Sequence, residues 1–184
     1  MDFGSLESWG YLAVALFAFG GSLFIVAAAG VFSYMGKMDL ATAMAVATVS
    51  NYVGDMFLFY LGKYQKKEIQ PYFAKHKRKI ALATLIMRKY GIWAIFIQKF
   101  LYGIKTLVPL SMALSKYDFK KFGFYNIFAS IVFVLTIGLS AYYSSEFIIA
   151  MFGYIKENPW IAPVVLFSIV GAVWYGMEYM TKKR

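Results

Sequence analysis

The chain has 184 residues, 61% of them hydrophobic and 20% aromatic, with only 15% charged and a formal net charge of +10. Soluble domains carry about a quarter charged residues, so an ordinary soluble globule is excluded. The absence of cysteine excludes disulfides, thiolate catalysis and cysteine-based metal sites.

The positive excess is not a nucleic-acid footprint. Most Lys and Arg residues cluster at segment ends, at Lys63 to Lys79, Arg88-Lys89, Lys116 to Lys121 and Lys182-Lys183-Arg184. Cytoplasmic loops of membrane proteins have this pattern, and such clusters attract anionic headgroups as well. The N-terminus, with Asp2 and Glu7, lacks a basic region and a small-residue cleavage site and is not read as a signal peptide.

In chain order, the uncharged run 8–36 reads as one crossing helix or as a re-entrant hairpin broken at Gly20 and Gly21. The acidic, lysine-free N-terminus sits more comfortably outside and favours the hairpin. Residues 40–62 form a crossing helix from Gly36-Lys37-Met38-Asp39 outside to Gly62-Lys63 inside. The basic loop 63–79 is cytoplasmic and holds His76, the sole histidine. Ile80 to Met87 is too short to span and reads as an interfacial helix, so that 63–89 is one cytoplasmic stretch.

Residues 90–115 have basic flanks at both ends, which places both in the cytoplasm. Each half, 90–101 and 104–115, is too short to span about 30 Å at 1.5 Å per residue. Gly103 separates the halves and Pro109 interrupts the second. The simplest arrangement is a second re-entrant hairpin, entered from the cytoplasm. Then 122–145 crosses outward, 146–159 lies outside, and 160–178 returns to a cytoplasmic C-terminus.

The fold expected is thus an all-α integral membrane protein, one domain over 1–184. Two opposed re-entrant hairpins with crossing helices (8–62 and 90–145) make an inverted repeat. Lys37-Met38-Asp39-Leu40 and Lys116-Tyr117-Asp118-Phe119 occupy matching positions in the two units.

A charge in a membrane-buried segment costs about 2.5 to 3.5 kcal/mol on insertion scales, so Lys99 and Lys105 mark a substrate or ion path. On one continuous helix they would point about 120° apart. A turn at Tyr102-Gly103 instead brings one to each arm near the tip, where both ammonium groups converge on one anion. The competing reading is that each snorkels to the surface, which their depth opposes.

Asp55, in Asn51-Tyr-Val-Gly-Asp55, reads as counter-ion of either lysine, as a proton carrier, or as a structural ion pair. Asn126 is expected to hydrogen-bond hairpin backbone freed by the break, and Gly20, Gly21 and Pro109 to support the breaks. Glu146 and Glu178 read as interfacial. No nucleophile with a base, no phosphate loop and no dinucleotide fingerprint is present, so an enzyme, a cofactor or a metal site is not expected.

The stretch Gly30-VFSYMGKMDLATAMAVATVSNYVGDMFLFYLGK-Tyr64 resembles the first half of the DedA (VTT-domain) membrane proteins, with their Gly…Gly-Asp…Tyr-x-Gly helix. Tyr90-GIWAIFIQKFLYGIKTLVPLSMALSKYDFKKFGFYNIFAS-Ile131 resembles the second half, with its Arg-Phe-x-Pro-x-x-Arg-Thr-x-x-Pro pattern. The resemblance spans roughly residues 18–145. It implies opposed re-entrant hairpins, transbilayer movement of polyprenyl-phosphate carriers or phospholipids, and a link to the proton-motive force.

The two family arginines fall on Lys99 and Lys105, and the proline between them on Tyr102. The Ala-Gly pair falls on Met112-Ala113, and acidic positions of the family fall near Tyr11 and Leu23. The expected function is a lipid or lipid-phosphate translocase of a bacterial inner membrane. Its partners are membrane lipids with anionic or phosphate headgroups, with proton coupling and oligomerisation left open. The alternatives are a secondary transporter of a small soluble ion or drug and a non-catalytic membrane assembly factor.

Overall fold

The computed structural model describes residues 6–65, 77–101, 105–115, 117–158 and 160. Most of the basic loop with His76, the expected tip residues Tyr102 and Gly103, and the expected C-terminal crossing helix lie outside the described residues. Among those described, every regular element is helical. Two compact units are present, Met1–Tyr143 and Ser144–Arg184.

The run 8–36 is not one helix. Helix α1 (Leu6–Phe19) and helix α2 (Leu23–Tyr34) are about 21 and 18 Å long, each short of a bilayer core. Between them Gly21 takes φ +76°. Its N–H donates to Ala18 O at 2.9 Å, and Ser22 N–H donates to Phe17 O at 3.1 Å. That pair of bonds is a Schellman stop, which needs a left-handed residue and so a glycine. Ser22 then caps α2 by accepting from Ile25 N–H.

Helix α3 (Leu40–Tyr64) runs 25 residues, about 37 Å, enough to cross. Asp39 caps it, accepting from Thr42 N–H at 2.7 Å and Thr42 Oγ1 at 2.6 Å. The Asp39 backbone N–H donates to the Tyr11 hydroxyl of α1 at 2.8 Å, tying the entry of α3 to the first helix pair. The buried positions Ala43, Ala47, Asn51, Gly54, Asp55, Phe59 and Gly62 recur at helical spacing and form one inward stripe. A Cβ on Gly54 would collide with the Phe19 carbonyl, so α1 ends directly on α3 only because this residue lacks one.

Helix α4 (Lys77–Tyr90) is longer than expected but still too short to span. It packs Ala83, with Ile80 and Met87 beside it, into the core shared with α6 and leaves Leu82 and Leu85 exposed. The stretch 90–115 is broken as expected. Helix α5 (Trp93–Ile97) tightens into a 3₁₀ turn at Gln98–Phe100 and stops at Leu101, which is extended. The chain resumes as helix α6 (Leu107–Leu114).

Pro109 does not interrupt the second arm. It stands in the first turn of α6, where a missing N–H leaves no intrahelical bond unmade. Helix α7 (Phe119–Tyr143) is a second 25-residue helix. Asp118 accepts from Lys121 N–H at 2.8 Å, so the two Lys-x-Asp sequences both cap a crossing-length helix.

In this unit α2 packs along α7 and α6 along α3, while α1 lies on α3 and α5 on α7. One core joins Val14, Val26, Ala47, Phe133 and Val134, and a second joins Phe59, Ile95, Leu110, Phe122 and Ala129. The first core draws on early α3 and late α7 and the second on the reverse, so the two long helices are antiparallel. Where one core gives way to the other, the inward stripes turn polar, at Asn51 and Asp55 on α3 and at Asn126 and Ser130 on α7. Phe17, Phe24, Phe57, Phe124 and Phe128 point outward. An apolar surface of that extent belongs in lipid rather than water.

The second unit contributes helix α8 (Ser145–Glu157), within the stretch that the sequence leaves without an assigned element. Phe147, Phe152 and Tyr154 are exposed along it, with Glu146 in its first turn and Lys156 in its last, signs that suit the helix dipole.

Candidate functional site

Lys99 is the last but one residue before the chain breaks at Leu101, and its side chain is fully buried. An ammonium has three protons to place, and all three are placed. They go to Asn51 Oδ1 at 2.7 Å, Asp55 Oδ2 at 2.7 Å and Ser130 Oγ at 2.9 Å. Asp55 is therefore the counter-ion of Lys99. Asn51 and Asp55 are one helical turn apart, so α3 presents both on the same face. The Asn51 amide is oriented by its Nδ2, which donates to Ala18 O at 3.3 Å. Ser130 reaches in from α7 and lies 3.4 Å from Asn51 Oδ1.

Lys105 is placed differently. It is 8% exposed and makes one hydrogen bond among the described residues, to the Gly21 carbonyl at 2.9 Å. Its Nζ stands 4.2 Å from the centre of the Phe133 ring, a cation–π distance. A Cβ on Gly21 would overlap the end of the Lys105 side chain. The same glycine thus closes the first turn and makes room for the lysine of the second arm.

Lys99 and Lys105 both line a cavity of about 270 Å³, together with Gly20, Gly21, Leu23, Phe100 and Thr106. Its walls come from the Gly20–Ser22 turn on one side and the broken segment on the other. The arrangement offers an anion a cationic, mostly apolar recess with donor capacity left on Lys105.

Of the residues singled out from sequence, the structure brings Lys99, Lys105, Gly20 and Gly21 to one cavity and sets Asp55 directly behind Lys99. Tyr102 and Gly103 lie outside the described residues. Asn126 does not reach the hairpin backbone. It donates to Tyr52 O of α3 at 3.3 Å, bridging the two long helices, and Asn51 makes the hairpin contact in its place. Asn51, Ser130 and Phe133 were not singled out from sequence. The Asn51–Asp55 spacing on one helix face is the signal that points to the first of them.

Comparison with known proteins agrees with these features. The chain is 22% identical over 169 residues to undecaprenyl phosphate transporter A of Staphylococcus aureus (strain NCTC 8325 / PS 47), covering 87% of this chain and 82% of that protein. It is likewise 22% identical over 180 residues to the inner membrane protein YohD of Escherichia coli (strain K12), covering 95% and 93%. No solved structure matches the chain. The VTT domain family matches residues 11–143, from the first helix to the end of α7. The chain belongs to the VTT-domain family of DedA-type membrane proteins.

Proposed function

We propose that this protein moves a lipid phosphate, a polyprenyl phosphate or a phospholipid, across a bacterial inner membrane, and that Lys105 is the residue that takes the headgroup. The observation that carries the reading is the contrast in ammonium use. Lys99 has spent its donors on protein, whereas Lys105 lines the same cavity with, among the described residues, one hydrogen bond to a backbone carbonyl. A phosphate oxygen is a stronger acceptor than a peptide carbonyl because the bond is charge-assisted. Lys99, paired with Asp55, fixes the first arm of the broken segment and contributes no spare donor. Tyr102 and Gly103 complete the tip in this reading. The name of the Staphylococcus aureus relative supports a lipid-phosphate cargo.

The α1–α2 pair and the 90–115 segment act as opposed re-entrant hairpins within an inverted repeat. Counted from the cap aspartates, matching positions do matching work. Twelve residues after Asp39 stands Asn51 and twelve after Asp118 stands Ser130, and these two meet at Lys99. Fifteen residues on stand Gly54, against Phe19, and Phe133, against Phe100. Headgroups pass between the tips while acyl or prenyl chains stay in lipid. The basic loop 63–79 and the C-terminus face the cytoplasm.

The test is purified protein in liposomes carrying a labelled lipid phosphate, scored by headgroup exposure across the bilayer. Lys105→Ala is expected to lose the activity and Lys105→Arg to keep part of it. Unchanged rates in Lys105→Ala would sink the assignment. Uptake of free phosphate without lipid movement would favour the small soluble ion transporter instead.

A further inference from the structure

The three oxygens around Lys99 Nζ form a site in their own right. Asn51 Oδ1, Asp55 Oδ2 and Ser130 Oγ converge on one point at 2.7, 2.7 and 2.9 Å, from two antiparallel helices, and all three side chains are buried. Their positions do not depend on the lysine alone. Asn51 and Asp55 are held one turn apart by α3, and the Asn51 amide is anchored on the Ala18 carbonyl. Hard cations take such oxygen ligands. The single carboxylate balances a single positive charge, so a monovalent ion is neutralised where a divalent one is not. Ammonium and potassium ions are close in size, so the spacing suits potassium better than the smaller sodium.

We propose that this cradle is a monovalent-cation site, of potassium-like size, whose resident cation in this chain is the tethered ammonium of Lys99. Access follows from the surroundings. Lys99 lines the cavity at the tip, so truncating its side chain joins the cradle to that cavity and gives a hydrated ion a way in. The native protein carries its own cation at the crossing of α3 and α7 and takes none from solution there. The inference rests on the cradle geometry and not on the lipid-phosphate reading, and its test reads stability rather than transport.

The test compares thermal unfolding of the purified full-length protein in potassium, sodium and N-methylglucamine chloride at equal ionic strength. Wild type is expected to unfold at the same Tm in all three. Lys99→Ala is expected to have a depressed Tm in N-methylglucamine that climbs with the logarithm of potassium concentration, as mass action requires, and less with sodium. The Asp55→Asn/Lys99→Ala double variant is expected to show no cation response. A Lys99→Ala protein with one Tm in all three salts overturns the proposal, as does a cation response in wild type or in the double variant. Failure of Lys99→Ala to fold even at high potassium overturns it as well, and a stronger response to sodium overturns the size assignment.

Discussion

The two broken segments of the first unit are built alike and charged differently. From Ser8 to Tyr34 the α1–α2 pair carries no ionisable acid or base beyond its tyrosines, Glu7 standing at its very start, while the 90–115 segment brings two lysines to its break. Each segment lays its first arm on one long helix and its second arm on the other. The difference lies in what the long helices offer at the crossing. α3 supplies a carboxylate and an amide, and α7 supplies a hydroxyl, and all three go to Lys99. The apolar pair supplies backbone carbonyls, that of Ala18 to Asn51 and that of Gly21 to Lys105. The two broken segments are laid on the long helices in the same way, and the charged chemistry is carried by one of them.

Asp55→Asn breaks this contrast most severely, because it leaves the Lys99 charge buried without its counter-ion. The expected loss is about 3 to 5 kcal/mol, read as a large fall in Tm in detergent. A Lys99→Met change in the same chain should return much of it, since removing both charges spares the unpaired one. Gly54→Ala comes next. The new methyl meets the Phe19 carbonyl, so α1 must move off α3, at about 1 to 3 kcal/mol for overpacking. Deletion of a side chain at Lys105, by contrast, should alter Tm little while abolishing transport.

The smallest effects test the likeness of the two segments at their caps. Asp118→Ala should cost about 1 kcal/mol through loss of an N-cap, and Asp39→Ala should destabilise in the same direction. The Thr42 side chain and backbone N–H hold the Asp39 carboxyl below the usual carboxylate range. Because the folded value is depressed, the contribution is present above the unfolded value and is lost as the pH falls through the folded one. Wild type should therefore lose Tm more steeply than Asp39→Ala on acidification below about pH 4.

Much of this was legible in the sequence, for physical reasons that apply residue by residue. Twenty-five-residue apolar helices announce themselves by length, the Lys-x-Asp pairs announce caps, and a lysine inside an apolar run announces a site because burying it is costly. The break at Gly20-Gly21 followed from two adjacent glycines, although sequence left a continuous helix open. Three features were hidden. Which lysine takes Asp55 depends on a contact across 44 residues, which no local pattern encodes. Ser130 and Asn51 look like ordinary small polar residues of membrane helices until the lysine is seen between them. Pro109 reads as a breaker because proline disrupts helix interiors, but in a first turn it starts one.

The bond from Lys105 to the Gly21 carbonyl sets an exchange rule for whatever enters between the two turns. A newcomer does not meet a bare ammonium; it must displace an acceptor already in place. Neutral headgroups, with carbonyl or hydroxyl oxygens, trade one ordinary dipole for another and gain almost nothing. An anion gains the difference between a charged and an uncharged acceptor. Discrimination by charge is thereby built into the resting contact, and each successful exchange also unties the only hydrogen bond between the two turns among the described residues.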